Sequence, residues 1–235
     1  MNLQELADNS RRIVFFGGAG VSTESGIPDF RSVDGLYSQR YKYPPETILS
    51  HSFFMTHTEE FFEFYRNKIL FTGIQPNKAH LKLAELEVAG KLTAVVTQNI
   101  DGLHQLAGSK NVLELHGSVH RNYCRKCHAF FDMEFILTGS GVPRCHCGGL
   151  VKPDVVLYEE ALDNAVTDAA VKAIAKADML IVGGTSLAVY PAAGLLEFFS
   201  GDALVLINKT PTPYDARARL VINAPIGETL GALRV

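Results

Sequence analysis

The sequence predicts an α/β fold, a doubly wound parallel sheet joined to a second, smaller domain, and three observations predict it. Short apolar, β-branched runs recur along the chain and are continuous rather than alternating, the pattern of strands covered on both faces. Helical stretches separate them, as crossover connections between parallel strands require. Two segments, 36–76 and 120–150, break this rhythm: the first is rich in aromatic residues, and the second holds all four cysteines.

In chain order, "RIVFFGG" (12–18) is the first strand and runs into a glycine-rich turn. The stretch "TEEFFEFYRNKIL" (58–70) is a helix inside the first insertion, and 77–89 is a crossover helix. The next two strands are "LTAVVTQN" (92–99) and "NVLELHG" (111–117). Beyond the cysteines, 164–176 is a second crossover helix, and "DMLIVGGTS" (178–186), "ALVLINK" (203–209) and "RLVIN" (219–223) complete the sheet. The large domain thus takes residues 1–35, 77–119 and 151–235, while 36–76 and 120–150 are insertions that build the small one. With no internal repeat, low-complexity tract or long Gly/Ser linker, the two parts are expected to pack closely.

Composition narrows the function. The chain has 235 residues, 47% of them hydrophobic, enough for a large core, and a formal charge of −3 with no basic run. That balance argues against nucleic acid and against a polybasic membrane anchor, leaving small molecules or peptides as partners. The polar start "MNLQELADNSRR" is not a signal peptide and no apolar run reaches bilayer length, so a cytoplasmic protein is expected. In a reducing compartment four clustered cysteines indicate a metal site rather than disulfides.

The ends of the apolar runs carry the polar chemistry, and in open α/β sheets ligands bind beyond the carboxyl ends of the strands. After the first run, Gly17, Gly18 and Gly20 allow a tight turn and close approach to a phosphate, with a helix N-terminus expected to follow. This is half a fingerprint: Thr23 stands where the dinucleotide pattern has its third glycine, and no Gly-Lys-Ser/Thr ending is present. On spacing alone, a structural turn and a phosphate cradle are both open. "TQNIDGLH" adds Gln98, Asn99, Asp101 and His104, and "GGTS" adds Thr185 and Ser186, on the same edge. Asp101 fits either a turn-stabilising carboxylate or a ligand for an amide. His116 ends a further run in "ELHG"; it is either a structural histidine or a general base, since imidazole titrates near neutral pH. Cys124 and Cys127 in "CRKC" with Cys145 and Cys147 in "CHC" form two close pairs of thiols, a tetrahedral structural zinc site with no open position. The second pair is one residue tighter than usual, and His128 or His146 is an alternative ligand.

These residues carry a resemblance. "GAGVSTESGIPDFRS", "TQNIDGLH", "ELHGS", the paired cysteines, "KPDVVLY", "GTSLAVYPAA" and "INK" follow in the order seen in sirtuins, the NAD-dependent protein-lysine deacylases, and the sequence resembles the bacterial type across nearly its whole length. The resemblance implies a large Rossmann-like domain and a small domain made of a zinc ribbon and a helical module. It implies NAD as a consumed co-substrate, one structural zinc ion, and products deacetylated lysine, nicotinamide and O-acetyl-ADP-ribose, a transferase-type reaction. Ala19, Gly20 and Thr23 are then placed around the NAD phosphates, and Phe30 and Arg31 in a loop that closes over them. Gln98 and Asn99 are placed at the ribose, Ile100 and Asp101 at the nicotinamide carboxamide, and His116 as general base, with Asn99 and Asp101 sharing the catalytic work. Gly184, Thr185, Ser186, Asn208, Lys209 and Ile226 fall on the adenosine side. An extended acetyl-lysine peptide is expected to add as a strand between Val155, Val156, Leu157 and Tyr158 on one side and Val189 and Tyr190 on the other. A monomer is expected.

Two departures from the family pattern stand out. Glu159 in "YEEAL" occupies a position where sirtuins commonly have glycine. Sirtuins that remove succinyl or malonyl groups carry a tyrosine followed three residues later by arginine, whereas here Tyr65 is followed by Arg66, Asn67 and Lys68, so an uncharged acyl group is expected. Two other functions compete with this reading: a zinc-ribbon nucleic-acid module, for which Arg121, Arg125, Lys126 and Arg144 are too few, and transfer of ADP-ribose to a protein, which sequence leaves open.

Overall fold

The computed structural model describes residues 1–30, 35–36 and 41–235. Its main sheet has six parallel strands: β1 (Ile13–Gly17), β2 (Leu92–Thr97), β3 (Val112–Glu114), then, after three strands of a separate sheet, β7 (Met179–Gly183), β8 (Ala203–Ile207) and β9 (Leu220–Ile222). Their order across the sheet is β3-β2-β1-β7-β8-β9, so chain direction across the sheet reverses between β1 and β7. Every residue of β1 and β7 is buried, which is why these runs read as continuous rather than alternating.

Helices cover both faces. On one, α1 (Leu3–Asn9), α5 (Lys78–Val88) and the C-terminal α9 (Ile226–Gly231) meet Ile13, Phe15, Val95, Ile181 and Val205. On the other, α8 (Asn164–Lys176) and the 3₁₀ segment Ala192–Phe198 pack on Val14, Phe16, Val96, Leu180 and Leu206. The helix α8 starts at Asp163, whose side chain accepts from the Val166 N–H, and buries Ala170 and Ile174.

The second sheet is antiparallel: β4 (Gly117–Cys124) lies between β5 (Phe130–Phe131) and β6 (Val151–Val155). It therefore takes the 151–155 strand, a stretch the sequence analysis placed with the large domain. Beside it pack α2 (Pro45–Ile48), α3 (His51–Thr56), α4 (Thr58–Lys68), all from the first insertion, and α7 (Met133–Thr138), while the short α6 (Leu103–Leu106) remains with the main sheet beside α5. The aromatic content of 36–76 is explained by this core. Phe54, Phe61, Phe62 and Tyr65 are fully buried, with Phe61 and Phe62 edge-on at 5.3 Å and Phe61 stacked on Tyr65 at 5.5 Å.

One expectation fails locally. The turn after β1 does not open an α-helix; it continues as two 3₁₀ turns, Ala19–Val21 and Thr23–Ser25. The chain is pinned there from outside: the Asn77 side chain, which caps α5, also donates to the Val21 carbonyl (2.8 Å) and to Ser25 Oγ (3.0 Å). No helix among the described residues is long and apolar enough to cross a membrane.

Candidate active site

A cleft of about 1490 Å³ opens at the carboxyl ends of the parallel strands, over the β1/β7 reversal where the topology leaves a crevice. Pockets for one small ligand run to about 300–1,000 Å³. This one exceeds what a single small ligand needs.

At its floor the loops after β1 and β7 interlock. Gly184 has φ +60, and a Cβ on Gly20 would lie 2.9 Å from the Gly184 Cα, so neither position admits a side chain. The Gly20 N–H donates to the Gly184 carbonyl at 2.8 Å. Glycine here brings two strand ends together, with Ala19, Gly20, Thr23, Gly184, Thr185 and Ser186 all lining the cleft. The Thr23 hydroxyl donates back to the Gly20 carbonyl at 3.0 Å, which gives the residue at the missing third glycine a structural task.

The loop after β2 supplies a polar cluster. Gln98 Nε2 donates to Thr185 Oγ1 at 3.1 Å, tying the ends of β2 and β7. Asn99, buried, donates from Nδ2 to Ser22 Oγ (3.0 Å), and that hydroxyl donates to Asp101 Oδ2 (2.6 Å). Asp101 Oδ1 accepts the Leu103 N–H at 2.9 Å, so this carboxylate stabilises a turn, and the residue also lines the cleft. His120, exposed on β4, donates from Nε2 to the Asp101 carbonyl at 3.0 Å. Ile100, Asn208, Lys209 and Ile226 complete this end, and Phe30 lies half-buried on the lining; Arg31 falls outside the described residues.

His116 occupies the junction of the two sheets, two residues past β3 and immediately before β4. Its Nδ1 lies 3.0 Å from the Gln98 carbonyl, an acceptor only, so Nδ1 carries the proton and Nε2 keeps its lone pair. Burial pushes its pKa below the ordinary value, and the bond to Gln98 opposes that only in part. Its carbonyl accepts the Val156 N–H at 3.0 Å, so one residue joins the polar cluster to the groove.

That groove runs along 155–158. The strand stops at Val155, and Tyr158 is stitched to the α2–α3 connection, with the Tyr158 N–H on the Leu49 carbonyl and the His51 N–H on the Tyr158 carbonyl, each at 3.0 Å. Glu160 gathers Lys152 Nζ (3.0 Å), the Leu157 N–H (2.9 Å) and His51 Nδ1 (2.8 Å), which fixes this edge. Val189 and the exposed Tyr190 line the facing wall.

His104, singled out in "DGLH", does not reach the cleft. It is buried under α6 against His80, ring centroids 4.7 Å apart, and Phe15 at 6.0 Å. Burial pushes both imidazoles well down and keeps them neutral. Ser22, Asn77 and His120 are the site residues sequence reasoning missed. Each acts on a partner at least 19 residues away, and no local spacing signals such pairings.

The four cysteines converge. Their sulfurs all lie within 4.8 Å of one another, with Cys124–Cys147, Cys127–Cys145 and Cys127–Cys147 at 3.5 Å, close to the ~3.8 Å edge of a tetrahedron with 2.3 Å zinc–sulfur bonds. His128 and His146 are outside the cluster. A Cβ on Gly149 would come within 2.6 Å of Cys124 Sγ, so only glycine leaves room beside the sulfurs there. Donor set and geometry fit one structural zinc ion, held away from the cleft.

Comparison with known proteins agrees with this layout. The family model described as "Sir2 family" matches residues 18–191. The NAD-dependent protein deacetylase of Clostridium perfringens (strain 13 / Type A) is 62% identical over 233 residues, covering 97% of this chain and 96% of that protein. A Sir2 histidine-to-alanine variant solved with a deacetylated p53 peptide and 3'-O-acetyl-ADP-ribose superposes with a TM-score of 0.90 at 41% identity, covering 97% of this chain and 94% of that one. A Sir2 complex with a p53 peptide and NAD+ gives 0.87 at 42%, covering 98% and 96%.

Proposed function

This chain belongs to the Sir2 family and is an NAD-dependent protein deacetylase, and on that premise we propose how its own residues divide the work. Bound in the cleft, NAD supplies the ADP-ribosyl group that receives the acetyl group as nicotinamide departs. Ala19, Gly20, Thr23, Gly184, Thr185, Ser186, Asn208, Lys209 and Ile226 would hold its phosphate and adenosine portions. Gln98 and Asn99 would orient the ribose, and Asp101 with Ile100 would hold the carboxamide. The cluster fits because it presents amides, hydroxyls and a carboxylate already fixed by one another, a preorganised polar surface. The substrate lysine would enter from the groove formed by Val155, Val156, Leu157, Tyr158, Val189 and Tyr190 and bring its acetyl group to the same point.

The observation that carries this division is the placement of His116 between cluster and groove, with Nδ1 tied to Gln98 and Nε2 left to take a proton. The net reaction makes the protein a transferase. Its four-cysteine zinc site, which needs reduced thiols, supports a cytoplasmic setting. Incubation with NAD and an acetylated peptide tests the reading: equal amounts of nicotinamide, deacetylated peptide and O-acetyl-ADP-ribose are expected. Nicotinamide release with the peptide still acetylated would instead favour ADP-ribose transfer to protein.

Phe30, on the cleft lining, would shield the reacting carbon from water. Phe30→Ala is expected to slow nicotinamide release by at least about tenfold (~1.4 kcal/mol). Because the ring is only half-buried, the variant's Tm is expected to fall by less than about 5 °C. A large Tm loss with unchanged turnover would reverse the assignment.

Acyl preference follows from the helical module. Tyr65 and Lys68 line the cleft, but Arg66 turns away, donating from Nε to the Ile136 carbonyl at 2.7 Å and lying over the Phe62 ring. Among the described residues no guanidinium lines the cleft beside Tyr65 and Lys68, so none stands there as a bidentate partner for an acyl carboxylate. One peptide carrying acetyl-lysine is expected to turn over at least about tenfold faster than its succinyl counterpart; faster succinyl removal would refute this.

A further inference from the structure

The departure from glycine at position 159 points to substrate choice. Glu159 follows Tyr158 directly on the groove edge, is exposed and lines the cleft. Its backbone has φ +74, in the left-handed region that glycine occupies freely and glutamate does not. The side chain is nonetheless held: Oε2 accepts both the Ser52 N–H (2.9 Å) and the Ser52 hydroxyl (2.6 Å) from α3. Those two bonds keep the carboxyl below its usual pKa, hence ionised at neutral pH, while Oε1 has no hydrogen bond among the described residues.

The adjacent acid does not share this role. Glu160 is matched inside the protein by Lys152, His51 and the Leu157 N–H, so the fixed negative charge presented at this rim is that of Glu159. We propose that Glu159, positioned by Ser52, is a specificity-determining residue that favours acetyl-lysine substrates with Lys or Arg within two residues of the modified lysine. The inference rests on the reading of this cleft as the acetyl-peptide groove. An extended peptide passing Tyr158 brings its neighbouring side chains to this rim, where a cation meets a carboxylate whose position is already set. Because both partners are exposed, the effect is modest, about two- to fivefold, and is screened by salt.

The test uses one acetylated peptide with Arg, Ala or Glu scanned over the two positions on each side of the acetyl-lysine. For the wild-type enzyme, Arg is expected to exceed Glu at one or more positions by about two- to fivefold per charge step in kcat/KM, through KM rather than kcat. The ratio should shrink as ionic strength rises. Glu159→Gln keeps an acceptor for Ser52 and removes the charge, and is expected to level the three peptides; Ser52→Ala keeps the charge, frees the carboxylate and is expected to blunt the preference. Each ratio is internal to one variant, so it does not depend on how much of that variant folds. An Arg-to-Glu ratio near one in the wild type, or the same ratio in Glu159→Gln, overturns the inference. Failure of the wild type to deacetylate any of the peptides would overturn the functional reading itself.

Discussion

Replacing His116 by alanine is expected to stop deacetylation while leaving the fold intact. Loss of a positioned general base costs about 10²–10⁴-fold in rate. The imidazole is placed by its surroundings: the Gln98 carbonyl fixes the proton on Nδ1, and the surrounding protein lowers the pKa. Since the side chain borders the cleft rather than filling a core, truncation widens an existing opening and the melting temperature should barely move. The pH profile gives an independent check. The base proposed at His116 must be unprotonated to act, and burial moves this imidazole below the ordinary histidine value of about 6.5, so activity is expected to hold through neutrality. It should fall only on an acid limb lying below that value. A limb above about 7, or an alanine variant with wild-type turnover, would assign the proton transfer to another group.

Removal of the metal is expected to have the largest effect on stability. Cys124 and Cys145 are buried members of the same apolar cluster as Phe54, Phe61 and Val151, so the zinc site is continuous with the small module's core. The segment carrying the cysteines has little regular structure beyond a two-residue strand and one helical turn and a half. Structural zinc sites contribute free energy directly to folding. Loss of one thiolate by Cys127→Ser, an exposed position whose side chain packs little, is expected to cost at least about 4 kcal/mol, a large part of a typical total of about 5–15. At about 2–4 °C per kcal/mol for a chain of this size, Tm should drop by about 10 °C. Metal analysis of the wild type should give one zinc per chain, and a strong chelator should reproduce the loss. Unchanged stability in the serine variant would remove zinc from the account of this fold. The two experiments separate the sites: His116→Ala should retain its zinc.

Much of this was local enough to read along the chain. Strands such as Ile13–Gly17 and Met179–Gly183 announce themselves because both faces of a central parallel strand must be apolar, and the helix over 164–176 because its cap and buried stripe lie within a few residues. The cysteine pairs are equally local, since two ligands from one turn are set by short spacing. The helix expected after "GGAG" does not form for the converse reason: the turn's conformation is imposed by Asn77, more than fifty residues on, and by Gly184 in the loop after β7. Past Val155 the partners are equally remote: the Val156 N–H goes to the His116 carbonyl, and Tyr158 bonds Leu49 and His51 of the α2–α3 connection.

The sequence by itself determined the sheet's strands, the crossover helices, the metal ligands and which residue types stand at the strand ends, because each depends on periodicity or spacing within a few residues. Only the tertiary structure decided what those residues do to one another. Ser22 linked to Asn99 and Asp101, the His116 tautomer, the burial of His104 away from the cleft and the Ser52 hold on Glu159 all join positions distant along the chain. Hydrogen bonds and burial act over a few ångströms whatever the separation in sequence, so such pairings exist only once the sheet has brought its strand ends together.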